Sequence, residues 1–284
     1  MKKLSLKEVQ QEALNILKVF HAYCVENNLR YQLAYGTCLG AVRHKGFIPW
    51  DDDVDVMMPR PDFEELEKLV KCKPIPGLEL LSQNNNNEYS SPLAKIHNPR
   101  TLAIQSYHQL DVPRFGVYID VFIVDGISSS ASAQKGLFKL GYWARRFWGL
   151  SVDYYDYEKR TVLRYIKTVI AYPFKIIGYR YWANLYDMIC KRYSYKQQEY
   201  AGVVLFGEGM NKELFPKELF EKSVLLPFED SNFFAPAFYD KYLKQMYGNY
   251  MQLPPEAQRV SKHGTAFYDS PAKEGDLKDR RTNR

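Results

Sequence analysis

The chain of 284 residues has little cysteine, and what it has is scattered. Cys24, Cys38, Cys72 and Cys190 show neither the paired spacing of a zinc site nor the density of a disulfide scaffold, so reduced thiols in a cytosolic protein are expected. The N-terminus, Met-Lys-Lys-Leu-Ser-Leu-Lys-Glu, lacks the apolar stretch of a signal peptide. No apolar run reaches the length that spans a bilayer. The net charge, +6, is modest and unevenly spread. No recognisable nucleic-acid module accompanies it, so nucleic acid is not an expected partner.

What the chain does have is a concentrated motif at 34–60, A-Y-G-T-C-L-G-A-V-R-H-K-G-F-I-P-W-D-D-D-V-D-V-M-M-P-R. Asp51, Asp52, Asp53 and Asp55 place four carboxylates in five positions, and they repel one another unless a cation sits among them. Carboxylate oxygens suit a hard cation, Mg²⁺ or Mn²⁺. If 54–58 is a strand, Asp53 and Asp55 face one way and Val54 and Val56 the other. Tyr31–Ala34 reads as a short strand, Gly36-Thr37 as a turn, and 38–44 as a helix stopped by Gly46 in a left-handed conformation. A strand, a small-residue turn and a helix N-terminus together make a phosphate site. Phosphate on Gly36 and Thr37, with metal on Asp53 and Asp55, is the minimal kit for phosphoryl chemistry. Arg43 and His44 follow as a solvated helix end or as phosphate contacts.

A second acidic position lies at 118–125, Y-I-D-V-F-I-V-D, where alternation puts Tyr118, Asp120, Phe122 and Val124 on one face. Asp120 is a carboxylate in an otherwise apolar strand, a costly placement unless it shares a cation. It is therefore expected to be the third ligand and an acceptor for a hydroxyl proton. Asp125-Gly126 is expected to end that strand. Lys95, between apolar neighbours, is expected on the sheet either as an edge residue with its stem buried or as a phosphate contact.

The run G-T-C-L-G-A-V-R-H-K-G-F-I-P-W-D-D-D-V-D-V-M-M resembles the signature of the LicD family, the phosphorylcholine-transferase family related to fukutin. G-V-Y-I-D-V-F-I-V-D at 116–125 resembles its second acidic strand. Phe215-Pro216, Phe228-Glu229, Tyr247–Met251, Pro254-Pro255, Arg259 and His263 resemble its C-terminal block, although Asn249 stands where the family usually has Asp. The resemblance implies an α/β (α+β) fold with a nucleotidyltransferase-like mixed sheet, flanking helices and a helical insert. It implies Mg²⁺ or Mn²⁺ on Asp53, Asp55 and Asp120, which serve as both metal and catalytic residues. Donor phosphate would lie near Gly36, Thr37, Arg43, His44, Lys95, Arg259 and His263. It further implies transfer of phosphocholine, or a related phospho-alcohol, from CDP-choline or a similar donor to a lipid-linked glycan of a teichoic acid, lipopolysaccharide or capsule. Nucleotidyl transfer with release of pyrophosphate, and a non-catalytic glycan- or membrane-binding module, are the alternatives.

Four segments are expected. Residues 1–133 form the catalytic core, opened by a capping box at Ser5 and Glu8 and an amphipathic helix. Residues 134–200 carry 13 Lys and Arg against 5 Asp and Glu, a surplus larger than that of the whole chain. Their basic residues interleave with Trp, Tyr and Ile, which reads either as a segment lying at a membrane interface, on the inner face of the plasma membrane, or as a helical insert packed on the catalytic domain with its charges in water. Residues 201–268 complete the catalytic domain, and 269–284 read as a disordered tail. Further expectations are a helix at 61–70, a hairpin of 93–97 with 101–106, a strand in 201–209, a short helix and strand across 217–228, and a helix over 236–247.

Overall fold

The computed structural model describes residues 1–89, 91–105, 115–152, 162–260 and 264–269. The first helix, α1 (Leu6–Glu26), begins as the capping box dictates. The Ser5 hydroxyl accepts the Glu8 N–H, and the Glu8 carboxylate accepts the Ser5 N–H at 2.8 Å, so two otherwise orphaned donors are satisfied. Its stripe of Val9, Ala13, Leu17, Phe20 and Cys24 is buried in the main core.

The chain then runs through β1 (Gln32–Leu33), α2 (Tyr35–Arg43), β2 (Asp55–Pro59), α3 (Arg60–Cys72), β3 (Glu79–Leu81), β4 (Ala94–His97), β5 (Leu102–Gln105) and β6 (Tyr118–Ile127). Three helices follow, α4 (Ala131–Ser151), α5 (Val162–Ile177) and α6 (Tyr179–Cys190). The last part contains β7 (Tyr200–Gly202), α7 (Met210–Glu213), β8 (Phe215–Pro216), α8 (Glu218–Glu221), β9 (Ser223–Phe228), β10 (Ser231–Pro236), α9 (Tyr239–Tyr247) and β11 (Thr265–Tyr268).

A mixed sheet in the order β1-β2-β6-β4-β3 forms the centre, and β7 and β8 extend it from the far end of β6. Among the described strands only β2 and β6 pair in parallel, which their connection through α3 and the intervening strands permits. Helices flank this sheet, as an α+β fold requires. Val56, Met58, Ile119 and Val121 share one face of the sheet and are buried in the same core as the stripe of α1, while Asp55, Asp120 and Lys95 lie on the other face. A second apolar cluster, around Ile127, Leu137, Ala144, Tyr186, Val204 and Leu205, holds α4 and α6 to the end of β6.

Several expectations are corrected. The segments 93–97 and 101–105 do not pair. Strand β4 has β3 on one side and β6 on the other, so β5 turns away and pairs with β11. Strand β6 does not end at Asp125 but continues to Ile127, where it pairs with β7. Gly46 is not the left-handed stop. Lys45 takes φ 61°, while Gly46 sits where a Cβ would lie 2.1 Å from the Glu229 carboxylate. The helix expected from 236 starts at Tyr239, because 231–236 forms β10 in a hairpin with β9. Within 201–209, strand structure stops at Gly202.

Candidate active site

The acidic motif converges on one row of the sheet. In parallel register Asp55 lies beside Asp120, and in antiparallel register Asp120 lies beside Lys95. Because residues in register on adjacent strands share a face, Asp55, Asp120 and Lys95 form a row of acid, acid and base. Asp53 joins from the segment entering β2, and carboxylate oxygens of Asp53, Asp55 and Asp120 all lie within 4.8 Å of one another. Asp51, Asp52 and Asp53 make a second group of the same kind.

The local backbone is fixed on both sides. The Asp120 N–H donates to the Val54 carbonyl at 2.8 Å, and the Ala34 N–H to the Asp55 carbonyl at 3.0 Å. The Asp55 N–H donates to the Thr37 hydroxyl oxygen at 2.8 Å. Thr37, 4% exposed, thus positions the acid. Gly36 and Thr37 do not form a turn ahead of the helix. They occupy the first turn of α2, which begins at Tyr35 with φ 42°. A Cβ at Gly36 would come within 2.8 Å of an Asp51 carboxylate oxygen, so the helix start and the acidic segment approach closely there.

The electrostatics follow from crowding. Burial first, and then the charges of Asp53, Asp120 and Asp51, push the Asp55 carboxyl well above its ordinary range, with Lys95 opposing. Lys95 forms a buried ion pair with Asp120, and its ammonium lies 3.5 Å from the centre of the Tyr118 ring. One lysine leaves the three-carboxylate group net negative. A set of clustered carboxylate oxygens with that excess is what a hard divalent cation takes, so the donors fit Mg²⁺ or Mn²⁺.

These acids floor a cleft of about 410 Å³ that also has Tyr35, Gly36, Phe122, Phe206, Glu208, Lys212 and Tyr247 in its walls. The last two stretches come from distant sequence. Glu213, 1% exposed, ties one of them down, because its carboxylate accepts the Tyr35 hydroxyl at 2.9 Å and the Glu208 N–H at 2.8 Å. Burial pushes that carboxyl up to about 7. Tyr35, Phe122 and Tyr247 lie inside the motifs quoted above without being assigned to the site, and Phe206, Glu208, Lys212 and Glu213 carry no motif. The contacts of α2 and α7 with α9 bring together the segments that hold Tyr35, Lys212, Glu213 and Tyr247.

The remaining sequence candidates lie elsewhere. Arg43 donates to the Tyr250 carbonyl at 2.8 Å and so anchors the segment after α9. His44 meets Trp50 edge-on, and Arg259 lies over the Trp50 ring at 5.8 Å while donating to the Pro254 carbonyl at 3.0 Å. None of the three lines the acidic cleft. His263 lies outside the described residues, as do 153–161 of the insert and 270–284 of the expected tail. Asp125 is not a cap but half of a buried pair. Arg60 grips it with Nε at 2.7 Å and Nη2 at 2.8 Å, and reaches Asp187 of α6 with Nη1 at 2.7 Å.

Residues 28–114 match the family described as LicD/FKTN/FKRP, nucleotidyltransferase domain. Over 267 residues, 93% of this chain and 97% of the relative, the sequence is 32% identical to the lipopolysaccharide cholinephosphotransferase LicD of Haemophilus influenzae. An uncharacterised protein of Rickettsia prowazekii is 40% identical over 55 residues, 19% of this chain and 21% of that one. The chain belongs to the LicD family and is a transferase.

Proposed function

We propose that the chain transfers phosphocholine from CDP-choline to a sugar hydroxyl of a lipid-linked surface glycan, with a divalent cation held by Asp53, Asp55 and Asp120. The observation that carries this is the convergence of those three carboxylates on the floor of a cleft, together with the likeness over nearly the whole chain to a cholinephosphotransferase. When bound, Mg²⁺ or Mn²⁺ would neutralise phosphate charge and polarise the phosphorus under attack. The chain's own residues do the rest. Ala34, at the N-cap of α2, provides no side-chain cap, so the first-turn amides of Gly36 and Thr37 are placed to hold phosphate oxygens. Lys95 fixes Asp120, and Thr37 fixes Asp55. The acceptor oxygen bonds to the distal phosphorus, the bond from that phosphorus to CMP breaks, and the hydroxyl proton passes to a cleft carboxylate.

A lipid-linked acceptor is supported by the outer face of the helical segment. Val169, Ile170, Tyr172, Ile176 and Ile177 of α5 are 51–74% exposed, and Tyr142 and Trp143 of α4 are about half exposed. Lys139 and Arg146 are exposed on α4. No helix among the described residues is long and apolar enough to cross a membrane, so this face suits a membrane surface.

Incubation of wild type and Asp53→Asn with CDP-choline, Mg²⁺ and a glycan acceptor tests the proposal. CMP release with choline on the glycan, abolished in the variant, is expected. Release of pyrophosphate from a nucleoside triphosphate instead would select nucleotidyl transfer, which the family's description also accommodates. Activity unaffected by Asp53→Asn would remove the enzyme reading of this cleft.

A further inference from the structure

Beyond its acidic floor the cleft has aromatic walls. Phe122 stands two residues after Asp120 on β6, so it lies on the same face and meets Tyr35 edge-on at 4.7 Å. Tyr247, the last residue of α9, is 41% exposed and lines the cleft. Phe206 comes from the loop after β7. Trp148 meets its ring edge-on at 5.3 Å, Arg145 lies over it at 4.8 Å, and its N–H donates to the Tyr186 hydroxyl at 2.8 Å. Its φ of 62° is a conformation that bulky residues avoid, so tertiary contacts aim this side chain. Glu208 follows, held through its N–H by Glu213.

We infer that Phe122, Phe206 and Tyr247, with the Glu208 carboxylate, form the subsite that holds the trimethylammonium group of the donor. The inference rests on the phosphocholine reading above. A quaternary ammonium has no N–H to donate. It is recognised by ring faces and nearby negative charge rather than by hydrogen bonds. The cleft offers both: with Asp53, Asp55 and Asp120 taken by the cation, its lining still includes Asp51 and Glu208 against a single lysine, Lys212, which lies 3.6 Å from the Glu208 carboxylate. A neutral pyrimidine base could also stack on rings, but it would gain nothing from the remaining carboxylates.

Equilibrium titration of the full-length protein with CDP-choline, CDP-ethanolamine and CMP, all with Mg²⁺, separates these cases. Wild type is expected to prefer CDP-choline to CDP-ethanolamine. Tyr247→Leu and Phe206→Leu are expected to weaken CDP-choline by roughly five- to thirty-fold while leaving CMP unchanged. Tyr247→Phe keeps a ring and is expected to keep the preference. Tyr247 is partly exposed, so its variants test the subsite even if Phe206→Leu does not fold. Equal loss of CDP-choline and CMP would assign the rings to the base. Equal affinity of wild type for the two donors would likewise overturn the subsite, and in both cases phosphocholine transfer would stand. Failure of wild type to bind CDP-choline at all would overturn the subsite and the underlying reading together.

Discussion

Arg60 offers a test of how the parts of the molecule are joined. Its guanidinium makes two parallel bonds to Asp125 on β6 and a third to Asp187 on α6, so one side chain ties the start of α3 to the sheet and to the helical segment. Asp125 is 1% exposed and Arg60 8%. Even with its partner, burial holds the Asp125 carboxyl above its ordinary range. Replacing Arg60 by Met keeps much of the volume but strands that carboxylate. Breaking one side of a buried pair costs about 3–5 kcal/mol. For a chain of this size that corresponds to roughly 5 to 8 °C in melting temperature. Equilibrium urea unfolding followed by tryptophan fluorescence would measure it. The deficit should shrink as pH falls, since the folded state of the variant takes up a proton on Asp125 more readily than the unfolded chain does. Adding Asp125→Leu should restore most of the loss, because the orphaned charge is gone. A loss below about 1 kcal/mol at neutral pH, or a deficit independent of pH, would refute the assignment of Arg60 as a buried junction.

Three further outcomes follow from the geometry. Thr37→Val removes the acceptor of the Asp55 N–H; kcat should fall with circular dichroism unchanged, and Thr37→Ser should restore it. Glu213, pushed up to about 7 from 4.5, holds a proton when folded that the unfolded chain has lost, so its contribution is present below pH 4.5 and disappears as pH rises to about 7. Glu213→Gln should therefore gain on wild type by about 1–3 kcal/mol between pH 5 and 8 in denaturant titrations, and a flat difference would contradict the buried-carboxyl account. Ser5→Ala loses the α1 cap and should cost about 1 kcal/mol of unfolding free energy, a small but measurable shift in urea midpoint.

Local signals in the sequence carried far where they were self-contained. The capping box and apolar spacing of α1 mark a helix whose structure needs no distant partner to start. Alternation in 118–125 placed Asp120 and Phe122 on one face, and the same period put Asp53 and Asp55 together. The losses came where long-range pairing decides. Nothing in 101–105 says that β5 must cross to a strand more than 150 residues later. The β9–β10 hairpin turns at Glu229-Asp230 without glycine, with Glu229 itself at φ 55°, so the usual turn signature is missing. Asp125 looked like a strand end because Asp-Gly so often is one; its partner, Arg60, is 65 positions away. The walls of the cleft were invisible for the same reason. Glu213 carries no motif, and its role exists only once α7 brings it under Tyr35.

The row formed by Asp55, Asp120 and Lys95 spans three neighbouring strands at a single register position. A slip of one residue in β2 or β4 would turn that strand's charged side chain to the opposite face, into apolar packing, and dissolve the row. Chemistry and strand alignment are thus one observable here. The specific activity of a refolded sample counts the molecules whose sheet closed in the right register, and an insertion of a single residue between Asp53 and Met58 would silence the enzyme even if the sheet still formed.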